Sequence, residues 1–345
     1  MSVQIPEFVD VGGLEAHLSE PGVDLVSDIA RVPGDILVLG AGGKMGPTLA
    51  IMARKALDRA GSQDRVIAVA RFTDPAVRDR LESLGVETIT CDLLDADAVS
   101  SLPDVPNVIF MAGMKFGTSG NPAMTWAMNA LVPSIVAGRF SGSRMVVFSS
   151  GNIYPMVPVD SGGATEETPL SPVGEYAQSI LARERMFDYF SARDDTPILL
   201  LRLNYAVEPR YGIPVDLCGK ILDDEPIDLD MGYVNLIWQR DANEIALRCL
   251  TRVSTPSTVL NVTGTGILSI RDIAEGLGNR LDRKPVFMGH EKEDALLSNA
   301  SLCSEWFGPP ATSIEAMMDS IVSWRRDGGL ILGKPTRFQV RDGQF

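Results

Sequence analysis

The sequence predicts an α/β fold, a doubly wound parallel sheet covered by helices, with a smaller lobe towards the C-terminus. Short runs of Val, Ile and Leu alternate with helical patterns from residue 35 onward, which is typical of a parallel sheet buried on both faces. After residue 203 the pattern becomes irregular and contains several prolines. We therefore expect a sheet domain at 35–203 and a second lobe mainly at 204–332.

Local patterns place the elements within these units. The predicted sheet strands span 35–39, 66–70, 86–91, 107–112, 144–149 and 198–203. The helix after the first strand begins near Met45, and Pro47 in its first turn suits a helix start. A further apolar run at 259–262 is a strand candidate, and a return of the chain to the sheet domain near 233–262 is left open.

The two ends of the chain lie outside this pattern. Residues 1–34 contain helix-like stretches at 14–18 and 23–31, which predicts a helical N-terminal extension. Residues 333–345 mix basic and aromatic side chains without periodicity. We expect this C-terminal arm to pack on a neighbouring subunit.

Composition restricts the class of protein. The 345 residues are 45% hydrophobic and 22% charged, as in ordinary globular chains. A net charge of −14 repels nucleic acid and anionic membrane, so neither is an expected partner. Apolar runs are far shorter than the ~20 residues of a membrane-spanning helix. Because the N-terminus also lacks the pattern of a signal peptide, we expect a cytoplasmic location.

Cysteine and histidine placement argues against a metal site. The four cysteines lie far apart without paired spacing. Neither His17 nor His290 has a cysteine or a second histidine three or four residues away. We therefore expect buried thiols, no metal ion and no catalysis by histidine.

A glycine-rich turn follows the first predicted strand and leads into a helix. It comprises Gly40, Gly42, Gly43, Lys44, Met45 and Gly46. Glycine lets the backbone turn tightly and approach a pyrophosphate, whose charge meets the N–H groups of the helix N-terminus. In this position the turn predicts a Rossmann-type dinucleotide-binding domain, and a purely structural turn is the alternative.

Further motifs carry a resemblance to a known family. The glycines have G-x-x-G-x-x-G spacing, the fifth strand ends in a Ser-Ser pair at 149–150, and Glu-Tyr follows at 175–176. Over about 35–325 the sequence resembles the extended short-chain dehydrogenase/reductases, the NAD-dependent epimerase/dehydratase family. The resemblance implies an NAD(P)-dependent oxidoreductase or isomerase. Such an enzyme moves a hydride on a sugar-like hydroxy or carbonyl substrate, which the C-terminal lobe would hold.

The resemblance also implies cofactor contacts beyond the glycine turn. Asp92 follows the third strand, where the family's aspartate meets the adenine. Lys115 stands where a family lysine lies near the pyrophosphate, and a solvated loop lysine is the alternative. Asn129 occupies the position of the family's helix asparagine. The remaining implied contacts are Leu93, Met111, Ala112, Gly113 and Tyr176.

The end of the second strand bears on the choice between NAD and NADP. A carboxylate there accepts hydrogen bonds from the ribose of NAD, whereas arginine pairs with the 2′-phosphate of NADP. Ala70 and Arg71 stand at this place, and Lys44 offers a second positive charge to the same phosphate. The sequence therefore favours NADP, with solvated surface charges as the alternative.

The resemblance assigns catalysis to Ser150 and Tyr176. Tyr176 would exchange a proton with a substrate oxygen that Ser150 hydrogen-bonds, and a half-buried helix tyrosine is the alternative. The chain departs from the family at Ile180, where a lysine is expected one turn after the tyrosine. An apolar neighbour favours the neutral phenol. The oxidised cofactor, Lys115 or Arg183 could supply the missing charge, or Tyr176 could act only as a proton donor, which favours carbonyl reduction.

Substrate contacts follow the family pattern less closely. Asn152 and Tyr205, together with Ser150, are candidate substrate residues. Asn235 is a fourth candidate, and it stands where a family arginine often grips a nucleotide diphosphate. The sequence therefore predicts a small sugar-like substrate and does not specify a nucleotide sugar.

Several functions remain open within and beyond this class. Epimerisation by transient oxidation competes with net reduction. Dehydration is least favoured, because Gly151 and Asn152 replace the family's acidic pair after the serine. The missing lysine keeps open a second function, a catalytically impaired NAD(P)-binding sensor or scaffold. The family's four-helix interface, formed here from 120–138 and 176–192, predicts a homodimer.

Overall fold

The computed structural model describes residues 5–115 and 120–343. Its strands are β1 (Ile36–Leu39), β2 (Val66–Ala70), β3 (Glu87–Thr90), β4 (Asn107–Phe110), β5 (Arg144–Ser150), β6 (Val157–Pro158), β7 (Ile198–Leu203), β8 (Ala206–Val207), β9 (Ile227–Asp228), β10 (Tyr233–Val234), β11 (Ile237–Trp238), β12 (Thr258–Val262), β13 (Leu268–Ser269), β14 (Phe287–Met288) and β15 (Asp294–Ala295). Its helices are α1 (Val11–Leu18), α2 (Val23–Ile29), α3 (Gly46–Arg59), α4 (Pro75–Ser83), α5 (Ala96–Ser100), α6 (Pro122–Trp126), α7 (Val132–Arg139), α8 (Gly174–Asp194), α9 (Ile213–Leu222), α10 (Gln239–Arg248), α11 (Ile270–Leu281), α12 (Ser301–Phe307) and α13 (Ile314–Arg326). None of these helices combines the length and the apolar character needed to span a membrane.

One parallel sheet of seven strands forms the centre of the fold. Its order is β12-β7-β5-β4-β1-β2-β3, and β1 pairs in parallel with both β2 and β4. The predicted sheet strands are all present, and those at 66–70 and 198–203 agree at both ends. The strand candidate at 259–262 is part of β12, which pairs with β7. The chain therefore returns to the sheet domain after it has begun the second lobe.

Helices cover both faces of the sheet because successive strand residues point to opposite sides. Ile36 and Val38 of β1 lie in an apolar cluster with Leu49 and other residues of α3. Leu37 of β1 lies in a second cluster that includes Val136 of α7. The predicted doubly wound α/β fold is confirmed.

The second lobe has its own apolar core. Helices α9, α11 and α13 contribute Leu217, Ile273 and Ile321, all of them buried. Small pairs of short strands join the loops between these helices. The lobe begins directly after β7, so it stands beside the carboxyl ends of the sheet strands.

The N-terminal extension packs on its own chain. Leu14 and Leu18 of α1 are buried in a cluster with Trp238 and Trp324. The Glu15 carboxylate lies 2.7 Å from Arg210 in the second lobe. The extension, described from residue 5, therefore ties the two parts of the chain together.

The C-terminal arm also packs on its own chain, and its expected contact with a neighbouring subunit stays a prediction. The backbone N–H and the hydroxyl of Thr336 donate to Asp216 Oδ2 at 2.7 and 2.6 Å. Phe338 is buried in the core of the second lobe. The arm is held because the half-buried Asp216 carboxylate needs hydrogen-bond donors and the core of the lobe leaves room for an aromatic ring. Residues 344–345 of the arm lie outside the described residues.

Candidate active site

The sheet opens a crevice between β1 and β4. From β1 the chain builds outward through β2 and β3, and it then returns to the other side of β1 with β4. At such a switch point the connections diverge at the carboxyl ends of the strands, where ligands of this fold bind. Two cavities of about 240 and 260 Å³ meet here and share Gly40, Gly43 and Met111. We call them the lobe-side cavity and the β2-side cavity.

The glycine turn separates the cavities and has no room for side chains at two positions. Gly40 has φ +90°, and a Cβ there would lie 2.5 Å from the Ala112 nitrogen. A Cβ on Gly46 would lie 2.5 Å from the Ala41 carbonyl oxygen. Gly42 and Gly43 are exposed. The turn thus presents bare backbone ahead of α3, an arrangement that fits a pyrophosphate.

The β2-side cavity brings together the predicted adenosine contacts. Its lining includes Arg71, Asp92, Leu93, Ala112 and Gly113. Arg71 is exposed at the end of β2, and Asp92 Oδ1 accepts a hydrogen bond from the Leu94 N–H at 3.1 Å.

The lobe-side cavity brings together the predicted catalytic and substrate residues. Its lining includes Ser150, Asn152, Tyr176, Tyr205, Lys44, Met45 and Lys115. Tyr211 of the second lobe and Thr336 of the C-terminal arm also line it, and no sequence motif indicated either of them. Only the tertiary fold brings these two side chains to the site.

Ser150 and Tyr176 form the centre of this cavity. Ser150 ends β5, and its Oγ lies 3.2 Å from Asn152 Oδ1 and accepts the Asn152 N–H at 3.2 Å. Burial raises the pKa of the Tyr176 phenol, while the charge of Arg183 and a hydrogen bond with Ser150 partly lower it. Ile180 is 2% exposed and packs in one apolar cluster with Tyr176. The tyrosine is therefore held neutral at pH 7 in the free protein.

Arg183 brings a positive charge to Tyr176 from two turns further along α8. Its Nη1 donates to the Phe148 carbonyl at 2.7 Å, and its Nη2 donates to Asn129 Oδ1 at 2.8 Å. Burial lowers the pKa of Arg183 to about 10, and Tyr176 acts in the opposite direction. Gly113 makes room for the guanidinium group, since a Cβ there would lie 2.3 Å from Nη2. Arg183 was one of the predicted sources of the missing positive charge, and the structure places it near the Tyr176 phenol.

Asn129 lies outside the lining of both cavities. It sits in the π-helical turn Ala127–Leu131 and is buried. Its amide bonds both the N–H and the carbonyl of Met114 at 2.9 Å, and its Nδ2 donates to Ser179 at 3.0 Å. Asn129 thus supports the loop after β4 and Arg183, and its expected contact with the cofactor stays a prediction.

Asn235, the expected diphosphate position, is not in the lobe-side cavity either. Its Nδ2 donates to the Gly266 carbonyl and its Oδ1 accepts the Ser298 N–H, both at 2.9 Å. An amide engaged at both ends by backbone holds two loops of the second lobe together. These bonds give Asn235 a structural role, and its predicted contact with the substrate stays a prediction.

A buried ionic network fixes α8 against the sheet. Arg202 of β7 pairs with Glu184 of α8 at 2.7 Å and donates to the Tyr154 hydroxyl at 2.7 Å. Ser149, the neighbour of Ser150, donates to the same glutamate at 2.5 Å. Removing one partner of such a network leaves a buried charge unpaired. The network therefore sets the distance between Ser150 and the helix that carries Tyr176.

Lys44 and Arg71 do not lie together as expected. Lys44 lines the lobe-side cavity, and its Nζ donates to the Ala206 carbonyl at 3.0 Å. Arg71 lines the β2-side cavity. The structure thus separates the two charges that were expected to meet at one phosphate, because the lysine side chain turns towards the second lobe.

Comparison with known proteins identifies the family of the chain. A model of the family described as "NAD dependent epimerase/dehydratase family" matches residues 36–212, just over half of the 345-residue chain. A comparison of the sequence with the curated proteins found no match.

Solved structures share the fold at low sequence identity. The structure of Pal from Bacillus thuringiensis is 16% identical with a TM-score of 0.71, covering 85% of this chain and 99% of its own. A UDP-glucuronic acid 4-epimerase from Bacillus cereus, solved with UDP-glucuronic acid and NAD, is 18% identical with a TM-score of 0.70, covering 85% and 99%. The Bordetella bronchiseptica enzyme WbmG, solved with NAD and UDP, is 18% identical with a TM-score of 0.70, covering 87% and 97%. The resemblance read from the sequence is confirmed, and the chain belongs to the NAD dependent epimerase/dehydratase family.

Proposed function

We propose that this protein transfers a hydride between a nicotinamide cofactor and a hydroxyl or carbonyl carbon of a nucleotide sugar or related sugar-like substrate. The observation that carries the proposal is the Ser150–Tyr176 pair in the cavity that the glycine turn also lines. The similar structures solved with NAD and UDP-sugars support the choice of substrate class.

The residues present fit a dinucleotide. The bare glycine turn ahead of α3 would hold the pyrophosphate, and the β2-side cavity would hold the adenosine. The nicotinamide ring would supply and accept the hydride beside Tyr176. The protein's own part is to orient the substrate oxygen, hold its proton and exclude water.

Tyr176 and Ser150 would act on one substrate oxygen. Burial raises the pKa of Tyr176, so the phenol carries its proton at pH 7 and is ready to donate it to a carbonyl oxygen. The reverse step, oxidation of a hydroxyl, needs the phenolate, which the charge of Arg183 favours. The site therefore suits reduction directly and suits epimerisation when the positive ring of the oxidised cofactor adds to the charge of Arg183.

Tyr176→Phe tests the proposal. We expect a loss of hydride transfer of at least about a hundredfold, since general acid–base catalysis contributes about 10²–10⁴-fold. Affinity for the cofactor should remain, because phenylalanine keeps the ring that packs against Ile180. With UDP-sugars as substrates, net transfer is followed by the absorbance of the reduced nicotinamide, and epimerisation, which regenerates the cofactor, by the ratio of the two epimers. Unchanged turnover in the variant would show that Tyr176 is not catalytic.

The same experiment separates a second candidate function, an NAD(P)-binding sensor or scaffold. The buried Ile180 in place of a lysine favours it, because the tyrosine loses its nearest expected cation. Wild-type protein that binds cofactor tightly but transfers no hydride to any UDP-sugar would support the sensor.

Arg71 supports a preference for NADP. It is exposed at the end of β2 in the lining of the β2-side cavity, where the 2′-phosphate of NADP would lie. Several similar structures were solved with NAD, so a preference for NADP would distinguish this chain from them. Calorimetric titration of the cofactor-free protein with NADP and NAD decides between them.

Exposed apolar side chains on α8 and its neighbours support a homodimer. Leu131 is 53% exposed and Tyr189 57% exposed, and Trp126 and Met124 of α6 are also exposed. Covering such a surface with a second copy stabilises a dimer through the hydrophobic effect. The mass of the particle in solution, measured by light scattering, tests this.

A further inference from the structure

A run of consecutive residues at the end of β7, 203–206, lines the lobe-side cavity. A regular strand cannot present such a run to one cavity, because its side chains alternate between two faces. The alternation breaks at Tyr205, whose φ of +43° lies in the left-handed region that residues other than glycine rarely adopt. Backbone held in this region is concentrated at functional sites. The turn therefore brings Asn204 to the same cavity as Tyr205.

The backbone of Asn204 is fully hydrogen-bonded, whereas its side-chain amide is not. The N–H donates to the Val262 carbonyl at 3.1 Å, and the carbonyl accepts the Thr263 hydroxyl at 3.0 Å. The residue is 2% exposed, yet its Nδ2 has no hydrogen-bond partner among the residues that the structure describes. A buried donor without a partner is costly, and a ligand that accepts its hydrogen bond removes this cost. The amide of Asn204 therefore points to a ligand.

Asn204 lies next to the segment that carries Ser150. A Cβ on Gly151, the residue after Ser150, would lie 3.4 Å from Asn204 Cγ. The glycine thus lets the amide pack close to the backbone there. Asn152, on the other side of Gly151, already faces the serine, because its Oδ1 lies 3.2 Å from Ser150 Oγ. The amide of Asn204 is therefore close to the place where we propose that Ser150 holds the reacting oxygen.

We infer that Asn204 determines substrate specificity, its side-chain amide forming hydrogen bonds with a hydroxyl group of the sugar on a carbon next to the one that reacts. This inference rests on the proposed function, because it needs Ser150 to hold the reacting oxygen. A hydroxyl can accept from Nδ2 and donate to Oδ1, so one oxygen atom satisfies both ends of the amide. A carboxylate offers acceptors only, and a methylene group leaves the buried Nδ2 unpaired.

Calorimetry on the NAD-loaded protein tests the inference with UDP, UDP-glucose and the analogues of UDP-glucose that lack the hydroxyl at C2, C3 or C4. Asn204→Leu replaces the amide with an apolar group of similar shape. Asn279→Leu, at an exposed position of α11, is the matched control.

We expect the wild type to bind an analogue that lacks a hydroxyl beside the reacting carbon about 10- to 100-fold more weakly than UDP-glucose. In Asn204→Leu this difference should disappear, with the affinity for UDP unchanged and Asn279→Leu like the wild type. A loss caused by removing the reacting hydroxyl itself should persist in Asn204→Leu, because Ser150 and Tyr176 bind that oxygen.

The inference is overturned if Asn204→Leu discriminates among the analogues as the wild type does. A variant that loses affinity for UDP and every sugar by the same factor also overturns it, because such a loss indicates a structural role. The wild type provides a test without any variant, since equal affinity for UDP-glucose and all its analogues, or binding of none, contradicts the inference. The proposed hydride transfer is judged separately through turnover and Tyr176→Phe, because the titrations compare affinities alone.

Discussion

Arg183 shows how a single buried residue can alter the chemistry of another. The residue is 4% exposed, and its guanidinium group donates hydrogen bonds to Asn129 and to the Phe148 carbonyl. The charge of this group lowers the pKa of Tyr176. It does not contact the substrate cavity itself. We therefore regard Arg183 as a positioning residue that takes over part of the task of a lysine at position 180.

Arg183→Met should raise the pKa of Tyr176, because removing a nearby cation favours the neutral phenol. The pH at which alcohol oxidation becomes fast would then move upward. At a fixed pH below the pKa of Tyr176, each unit by which this pKa rises lowers the rate of oxidation about tenfold. The pH profile of kcat, measured in the direction of oxidation, checks this.

Arg183→Lys provides the control for lost packing, since it keeps the charge and gives up the planar fork of donors. We expect the pH profile to move back towards that of the wild type. Circular dichroism establishes that both variants fold. A methionine variant with the wild-type profile would contradict the assigned role.

At the scale of elements, the C-terminal arm completes a cavity that belongs to the sheet domain and the lobe. Thr336 lines the lobe-side cavity, and the buried Phe338 anchors the arm two residues later. The β2-side cavity has no arm residue in its lining. The arm thus contributes to the lobe-side cavity, where we propose that the substrate binds, and not to the β2-side cavity.

Removal of residues 333–345 should raise the KM for a UDP-sugar and leave cofactor affinity close to that of the full chain. Exposing the pocket of Phe338 also costs about 1.5–3 kcal/mol of stability. Thr336→Val keeps the volume of the side chain but removes the hydroxyl that donates to Asp216. This variant separates the effect on KM from the loss of stability. An arm-deleted protein with an unchanged KM and reduced cofactor affinity would refute this role.

The pH dependence of stability is a property of the whole molecule to which the cavity lysines contribute. The pKa of Lys44 is lowered to about 7 and that of Lys115 to about 8 in the folded protein, from 10.5. Above pH 7 the unfolded chain therefore binds more protons at these positions than the folded chain. By linkage, their contribution to the free energy of unfolding rises with pH between about 7 and 10.

Thermal unfolding of the ligand-free protein at pH 7 and pH 9 checks this. We expect the difference in Tm between the wild type and a Lys44→Met, Lys115→Met double variant to shift in favour of the wild type as the pH rises. Since both proteins share every other titrating group, the comparison isolates the two lysines. A difference in Tm that does not change with pH would contradict the assigned shifts.

The sequence by itself determined the sheet, the glycine turn and the Ser150–Tyr176 motif. Strand runs such as 66–70 are apolar throughout because both faces of the sheet are buried, so their signal needs no knowledge of partners. The turn is equally local, since the space available at Gly40 and Gly46 depends largely on the turn and the strand beside it.

Only the tertiary structure decided which distant side chains share the site. Thr336 and Tyr211 come to the cavity from the arm and the lobe, and no spacing in the sequence relates them to Ser150 and Tyr176. It also decided where long side chains point, as with Lys44, whose turn towards Ala206 depends on a carbonyl from the lobe. The physical reason is that a backbone motif is fixed by neighbouring residues, whereas burial, charge pairing and side-chain direction depend on contacts between segments remote in the chain.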